Sequence, residues 1–161
     1  VQIDSDRFGP MEVDEERVVT IVGGIPGFPA LRRVVVLEAR DVPEAIPPAV
    51  APHAFWIQDV DHPTVSFLAI VPWPAFPDYD VPVDRSHLDV ADDELAVLVL
   101  VSVHTDRGAP LASANLRAPL VVDTRHRRMH QLILTDSCWA VDAPLSPPAA
   151  ATRTTEAARC S

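Results

Sequence analysis

Seventeen prolines interrupt this chain of 161 residues. No stretch between them carries the three-to-four-residue apolar spacing of a long amphipathic helix. Proline lacks an N–H and clashes with the preceding helical turn, so it breaks helix interiors and is confined to the margins of sheets. What lies between the prolines is short and rich in valine, the commonest residue, and β-branched side chains suit a pleated surface. The spacing predicts strands at Val18–Val22, Arg33–Glu38, Phe55–Gln58, Ser66–Val71, Leu95–His104, Leu120–Asp123 and His130–Thr135, with a weaker one at Met11–Val13. Turn chemistry separates them. In Gly23-Gly24-Ile25-Pro26-Gly27-Phe28, Pro26 presets φ at one central position and Gly27 accepts a positive φ at the next, a type II signature. Asp61-His62-Pro63 and Asp106-Arg107-Gly108 read as turns between neighbouring strands. Pro72–Pro77, with three prolines, cannot sit inside a sheet. Helical signals are confined to Asp84–Leu88, where Asp84 can cap a turn, and to Pro29–Arg32. The expected class is all-β: a small closed barrel or pseudo-barrel of mainly antiparallel strands, with one or two short helical turns.

The length suits one domain, and 48% hydrophobic against 22% charged residues excludes a chain disordered throughout. From Ala143 onward the composition turns to Pro, Ala and Thr, with no large apolar residue after Leu145. We expect a folded domain over 1–145 and a disordered tail over 146–161. Apolar runs such as Leu95–Val103 are about half the ~20 residues of a membrane-spanning helix. No secretory signal is visible, and a cytoplasmic protein is expected. Cys138 reads as a quiet buried thiol, ill-matched for a disulfide with Cys160 in the tail.

The charge is −10, from 23 acids and 13 cations. Every cation is arginine. Residues 1–100 hold 18 acids and 6 arginines, a net of −12; residues 101–161 hold 5 and 7, a net of +2. A nucleic-acid or anionic-membrane binder shows the opposite excess on at least one face. An acidic domain suits a basic protein partner, and the same acidity also serves plain solubility.

No constellation for catalysis or cofactor binding emerges. His126 and His130 are four apart, but on a strand that separation is about 13 Å, too far for one ion. The serines lack a nucleophile elbow, and Gly23–Gly27 lacks the lysine and following helix of a phosphate loop. No catalytic residue, metal or cofactor is expected. Two segments are more specific. Phe76-Pro-Asp-Tyr79 places two aromatics in a proline-rich loop, exposed for recognition or folded back onto the core. Asn115-Leu-Arg-Ala-Pro119 leads into a strand, where Pro119 forces a start or bulge and Asn115 can satisfy the freed backbone.

The order of these motifs resembles the flagellar assembly factor family, FliW. The resemblance runs from Phe8-Gly-Pro-Met-Glu-Val13 through Gly24-Ile-Pro-Gly-Phe28, Gln58 before its Asp/His/Pro turn, Ser66-Phe67, Asp78-Tyr79 and Leu95–Val103. It ends with Asn115-Leu-x-Ala-Pro119 and Gln131–Leu134, and covers about residues 1–145. It implies a β-rich pseudo-barrel without catalysis that binds cytoplasmic flagellin. It also implies binding to carbon storage regulator A, a basic RNA-binding translational regulator whose repression of flagellin mRNA the factor relieves. Under that reading Phe76 and Tyr79 are apolar anchors for a helical segment of flagellin. Asp59, Asp61, Asp78, Asp80, Asp92, Asp93 and Glu94 form an acidic rim for the regulator, and Pro26, Gly27, Asn115 and Pro119 are structural. The competing reading is a small β-barrel enzyme or ligand-binding protein using His/Asp-rich loops.

Overall fold

The computed structural model describes residues 1–83 and 91–145. Along them run eleven strands: β1 (Gln2–Ser5), β2 (Gly9–Glu12), β3 (Val18–Val22), β4 (Arg33–Glu38), β5 (Ala54–Asp59), β6 (Ser66–Ile70), β7 (Leu95–Asp106), β8 (Ala109–Ala114), β9 (Leu120–Asp123), β10 (Arg128–Gln131) and β11 (Ala143–Pro144). Seven of them close on themselves. The hydrogen-bonded order is β7-β6-β5-β4-β3-β10-β9, and β9 pairs back onto β7. All these pairings are antiparallel except β10 with β3. That exception follows from the tight turn after β9, which returns the chain as β10 between β9 and β3.

Residues opposite one another on a ladder share a face, so the register identifies the barrel's filling. Met129 faces both Ile21 and Val122, and Leu98 faces Leu120. With Val34, Ile57 and Ala69 they form one buried cluster. The outer wall is also covered. Trp56, Leu68, Ile70, Val97 and Val99, on β5 to β7, pack beneath Ile46, Val50, Phe76, Tyr79 and Leu116. Ile3 and Val13 cover Val18 and Val35. Burial on both faces explains why β7 begins as an unbroken apolar run instead of alternating.

Three departures from the sequence reading have physical causes. First, β10 was expected at His130–Thr135 but spans Arg128–Gln131. Gln131 pairs with Leu120, and the next partner is Pro119, which accepts from the Leu132 N–H at 2.9 Å but has no N–H to return. Second, a strand that was not expected, β11, crosses the composition break at Ala143, inside the expected 1–145 domain. Ala143 and Pro144 pair with β8, and Ala143 is fully buried. Third, Pro29–Arg32 forms no helix; the short 3-10 turns lie at Glu15–Arg17, Ala51–His53 and Asp92–Glu94. The strands β1, β8 and β11 carried no legible pattern. Asp84–Leu88 and the tail at 146–161 lie outside the described residues.

Before β4 the chain reverses through Pro26 and Gly27. Gly27 has φ +87, and the Phe28 N–H donates to the Ile25 carbonyl at 2.7 Å. Gly24 has φ +71, and a Cβ there would sit 2.9 Å from the Pro29 carbonyl oxygen. At the other end of the barrel sequence, Asn115 Oδ1 accepts from the N–H groups of Arg117 and Ala118 at 3.1 and 3.2 Å, in the segment that precedes Pro119.

Gln58 on β5 is fully buried. Its Oε1 accepts from the Ser5 hydroxyl at 2.7 Å, and its Nε2 donates to the carbonyls of Asp59, Pro63 and Val65 at 2.9, 3.1 and 3.0 Å. Ser5 Oγ in turn accepts from the N–H groups of Arg7 and Phe8. One amide thus joins the end of β1 to the β5–β6 turn. Gln58→Ala should cost on the order of 3 kcal/mol in urea denaturation, since it strands several buried polar groups. Gln58→Glu, nearly the same shape, should cost at least as much, because its carboxylate would face three carbonyl oxygens with no donor.

Candidate partner-binding surface

For Phe76 and Tyr79, in the loop after β6, exposure for recognition and folding back onto the core were both open. The structure shows the second: they are only 2% and 3% exposed. The N–H groups of Ala75 and Phe76 donate to the Pro72 carbonyl, which curls the chain and turns both rings inward. The Tyr79 hydroxyl donates to the Leu116 carbonyl at 2.7 Å, and its ring meets Trp139 edge-on at 5.0 Å. Burial pushes the phenol pKa upward. The aromatic left outside is Trp73, 41% exposed, with its indole N–H donating to the Tyr79 carbonyl at 3.0 Å.

The seven acidic residues do not form one face. β5 and β7 each run antiparallel to β6 and so point the same way. Asp59 and Asp61, at the end of β5, therefore lie at the opposite end of the barrel from Asp92, Asp93 and Glu94, which precede β7. Asp59 is buried and serves its own turn, accepting from the Asp61 N–H and meeting His62 Nδ1, both at 2.8 Å. Asp61 makes a two-pronged pair with Arg33. The Arg33 hydrogen bond is the main cause holding the Asp61 carboxyl below its ordinary range. Glu94 accepts from the Ala91 N–H at 3.0 Å and lies 3.8 Å from Arg125. Asp92 stands in the 3-10 turn that opens β7. Asp78, Asp80 and Asp93 are exposed.

The turn after β9 repeats the arrangement seen after β5. Asp123 accepts from the His126 N–H and meets His126 Nδ1, both at 2.8 Å. Burial raises the Asp123 carboxyl pKa, but the backbone and side-chain hydrogen bonds from His126 outweigh it, and the net shift is downward. These two histidines are turn elements. Among the described residues no three His, Cys, Asp or Glu side chains converge to hold a metal ion. Cys138 is exposed and disulfide-bonded, which corrects the buried-thiol expectation; Cys160 lies outside the described residues.

A cleft of about 1020 Å³ opens between the β1–β2 hairpin and β4–β5. Its floor holds an arginine–tryptophan stack: the Arg7 guanidinium lies 3.8 Å from the Trp56 ring centre, with Arg7 Nε donating to Ser66 Oγ at 3.2 Å. Phe8, 37% exposed, meets Trp56 edge-on at 6.2 Å. Arg17, Arg40, Glu12 and Glu38 line the cleft with mixed charge. Sequence reasoning missed this stack, because only the folded barrel brings Arg7 and Trp56 together. The Phe8-Gly-Pro motif was its only local signal.

These elements define a closed seven-stranded barrel whose outer wall is wrapped by loops and an N-terminal hairpin. The chain belongs to the FliW family, whose model, described as FliW protein, matches residues 2–145. It is 27% identical to the flagellar assembly factor FliW of Treponema denticola, covering 86% of this chain and 89% of that protein. It is 28% identical to the flagellar assembly factor FliW of Heliobacterium modesticaldum, covering 94% and 95%. A crystal structure of a flagellar assembly factor FliW superposes with a TM-score of 0.74 at 28% identity, covering 91% of this chain and 98% of that one. Among the described residues no helix is long and apolar enough to cross a membrane.

Two outcomes follow from this geometry. Tyr79→Ala should destabilise the fold by roughly 3–5 kcal/mol in chemical denaturation, as truncating a buried aromatic does. Tyr79→Phe should cost about 1–2 kcal/mol through the unpaired Leu116 carbonyl. For Asp123, the folded carboxyl titrates below its ordinary value of 3.8. Its stabilisation is therefore fully present above that value and is lost as pH falls through the lower folded one. The stability gap between wild type and Asp123→Asn should shrink on acidification below the ordinary aspartate range, as read by thermal melts.

Proposed function

We propose that this chain is a non-catalytic flagellar assembly factor of the cytoplasm that binds flagellin and also binds and antagonises carbon storage regulator A. Release from flagellin makes it available to the regulator, and flagellin mRNA is then translated. The observation that carries this reading is family membership over residues 2–145 together with a superposable barrel. The surface chemistry agrees with it. A domain of net charge −10 suits a basic RNA-binding partner, and exposed aromatics on rigid loops suit protein contacts.

The test is a binding measurement with each purified partner from the same source, followed by competition. Both should bind, and a flagellin-leader reporter repressed by the regulator should recover when this protein is added and fall again when flagellin is added. If neither partner binds at micromolar concentrations, the reading is wrong.

A further inference from the structure

Trp73 holds an unusual position among the exposed apolar residues. Phe8 rests against Trp56 and Phe28 against Phe67. The indole N–H of Trp73 is already spent on the Tyr79 carbonyl, which holds the ring in place while the residue stays 41% exposed. That fixing is firm, because Tyr79 is anchored by its own hydrogen bond to Leu116 and its contact with Trp139. The accepting carbonyl belongs to the peptide that leads into Asp80. The indole edge therefore lies within one peptide unit of an exposed carboxylate-bearing residue. Pro74 and Pro77, both exposed, limit the loop's freedom.

An exposed, hydrogen-bonded indole with an exposed aspartate close by in the same loop is complementary to a guanidinium group: the ring quadrupole attracts the cation and the carboxylate accepts its N–H groups. The chain uses the same pairing internally, where Arg7 lies over Trp56. The geometry points to Trp73 and Asp80 as the contact for an arginine of the translational regulator, an assignment that rests on the regulator half of the function proposed above. Charge complementarity selects this occupant, since the regulator is basic and the loop segment Trp73–Asp80 carries acids and no cation. Phe76 and Tyr79 are the buried base that orients the contact.

The test uses the full chain, the purified regulator and purified flagellin. Trp73→Ala should raise the regulator Kd roughly tenfold or more, as for a central aromatic contact. Trp73→Phe, which keeps a π face, should retain most of the affinity. Asp80→Lys should slow association several-fold and change dissociation less. Regulator binding should also shift tryptophan emission to the blue in wild type but not in Trp73→Phe. Thermal melts of Asp80→Lys should match wild type, and the two Trp73 variants, which both lose the hydrogen bond to the Tyr79 carbonyl, should melt slightly and equally lower, so that a difference in their regulator affinity reports the π face. Unchanged regulator affinity in Trp73→Ala overturns the assignment while leaving the proposed function standing. Loss of flagellin affinity with regulator affinity intact overturns the choice of occupant. Failure of wild type to bind the regulator removes both the assignment and the regulator half of the function, whereas flagellin binding by wild type would still support the other half.

Discussion

The buried amide of Gln58 is the interaction on which the rest of this structure leans. A seven-stranded barrel of this size has little interior, and the buried cluster around Leu98, Leu120 and Met129 occupies it. Its stability therefore depends on also covering the outer wall, and that covering comes from separate pieces of chain. The N-terminal hairpin is one of them, and it is small enough to be marginal by itself. Gln58 supplies the directional link: one acceptor to Ser5, three donations into the β5–β6 turn region. An apolar residue there could not specify how the hairpin docks, because hydrophobic contact has no direction. The cleft floored by Arg7 and Trp56 exists only because that docking is fixed.

Proline and short polar side chains do the corresponding work elsewhere. Pro119 ends the β9–β10 ladder by withholding an N–H, and Asn115 supplies acceptors for the backbone that approaches it. Asp59 with His62, and Asp123 with His126, build two turns on one plan. Each aspartate is buried and each histidine is about half exposed, so the carboxylate is held by the turn and the imidazole closes it from the solvent side. His126, weighed with His130 as a possible ligand in isolation, is accounted for by this local chemistry.

The loop after β6 shows where residue type misleads about role. Phe76 and Tyr79 were legible as an important aromatic pair, yet the direction in which they point was not. Their burial depends on the turn at Pro72 and on a carbonyl supplied by Leu116, 37 residues away from Tyr79. Trp73, outside the motif that drew attention, is the ring left facing solvent. The acidic residues misled in a similar way. Their charge was plain, but antiparallel order sends them to opposite ends of the barrel, and Arg33 and Arg125 engage two of them.

What the sequence by itself determined is the class of fold and most of its strands: Val18–Val22, Arg33–Glu38 and Leu120–Asp123 are local consequences of valine runs bounded by turn residues. It also determined the family, because motif order survives without knowing any contact. What only the tertiary structure decided is closure, side-chain direction and the pairing of weak strands. β8 and β11 are rich in alanine and contain proline, so their conformation comes from the neighbours they pair with. Local propensity is a property of a few consecutive residues, whereas burial is a property of residues that meet across the barrel. The surface that remains for partners is what is left once those meetings are satisfied.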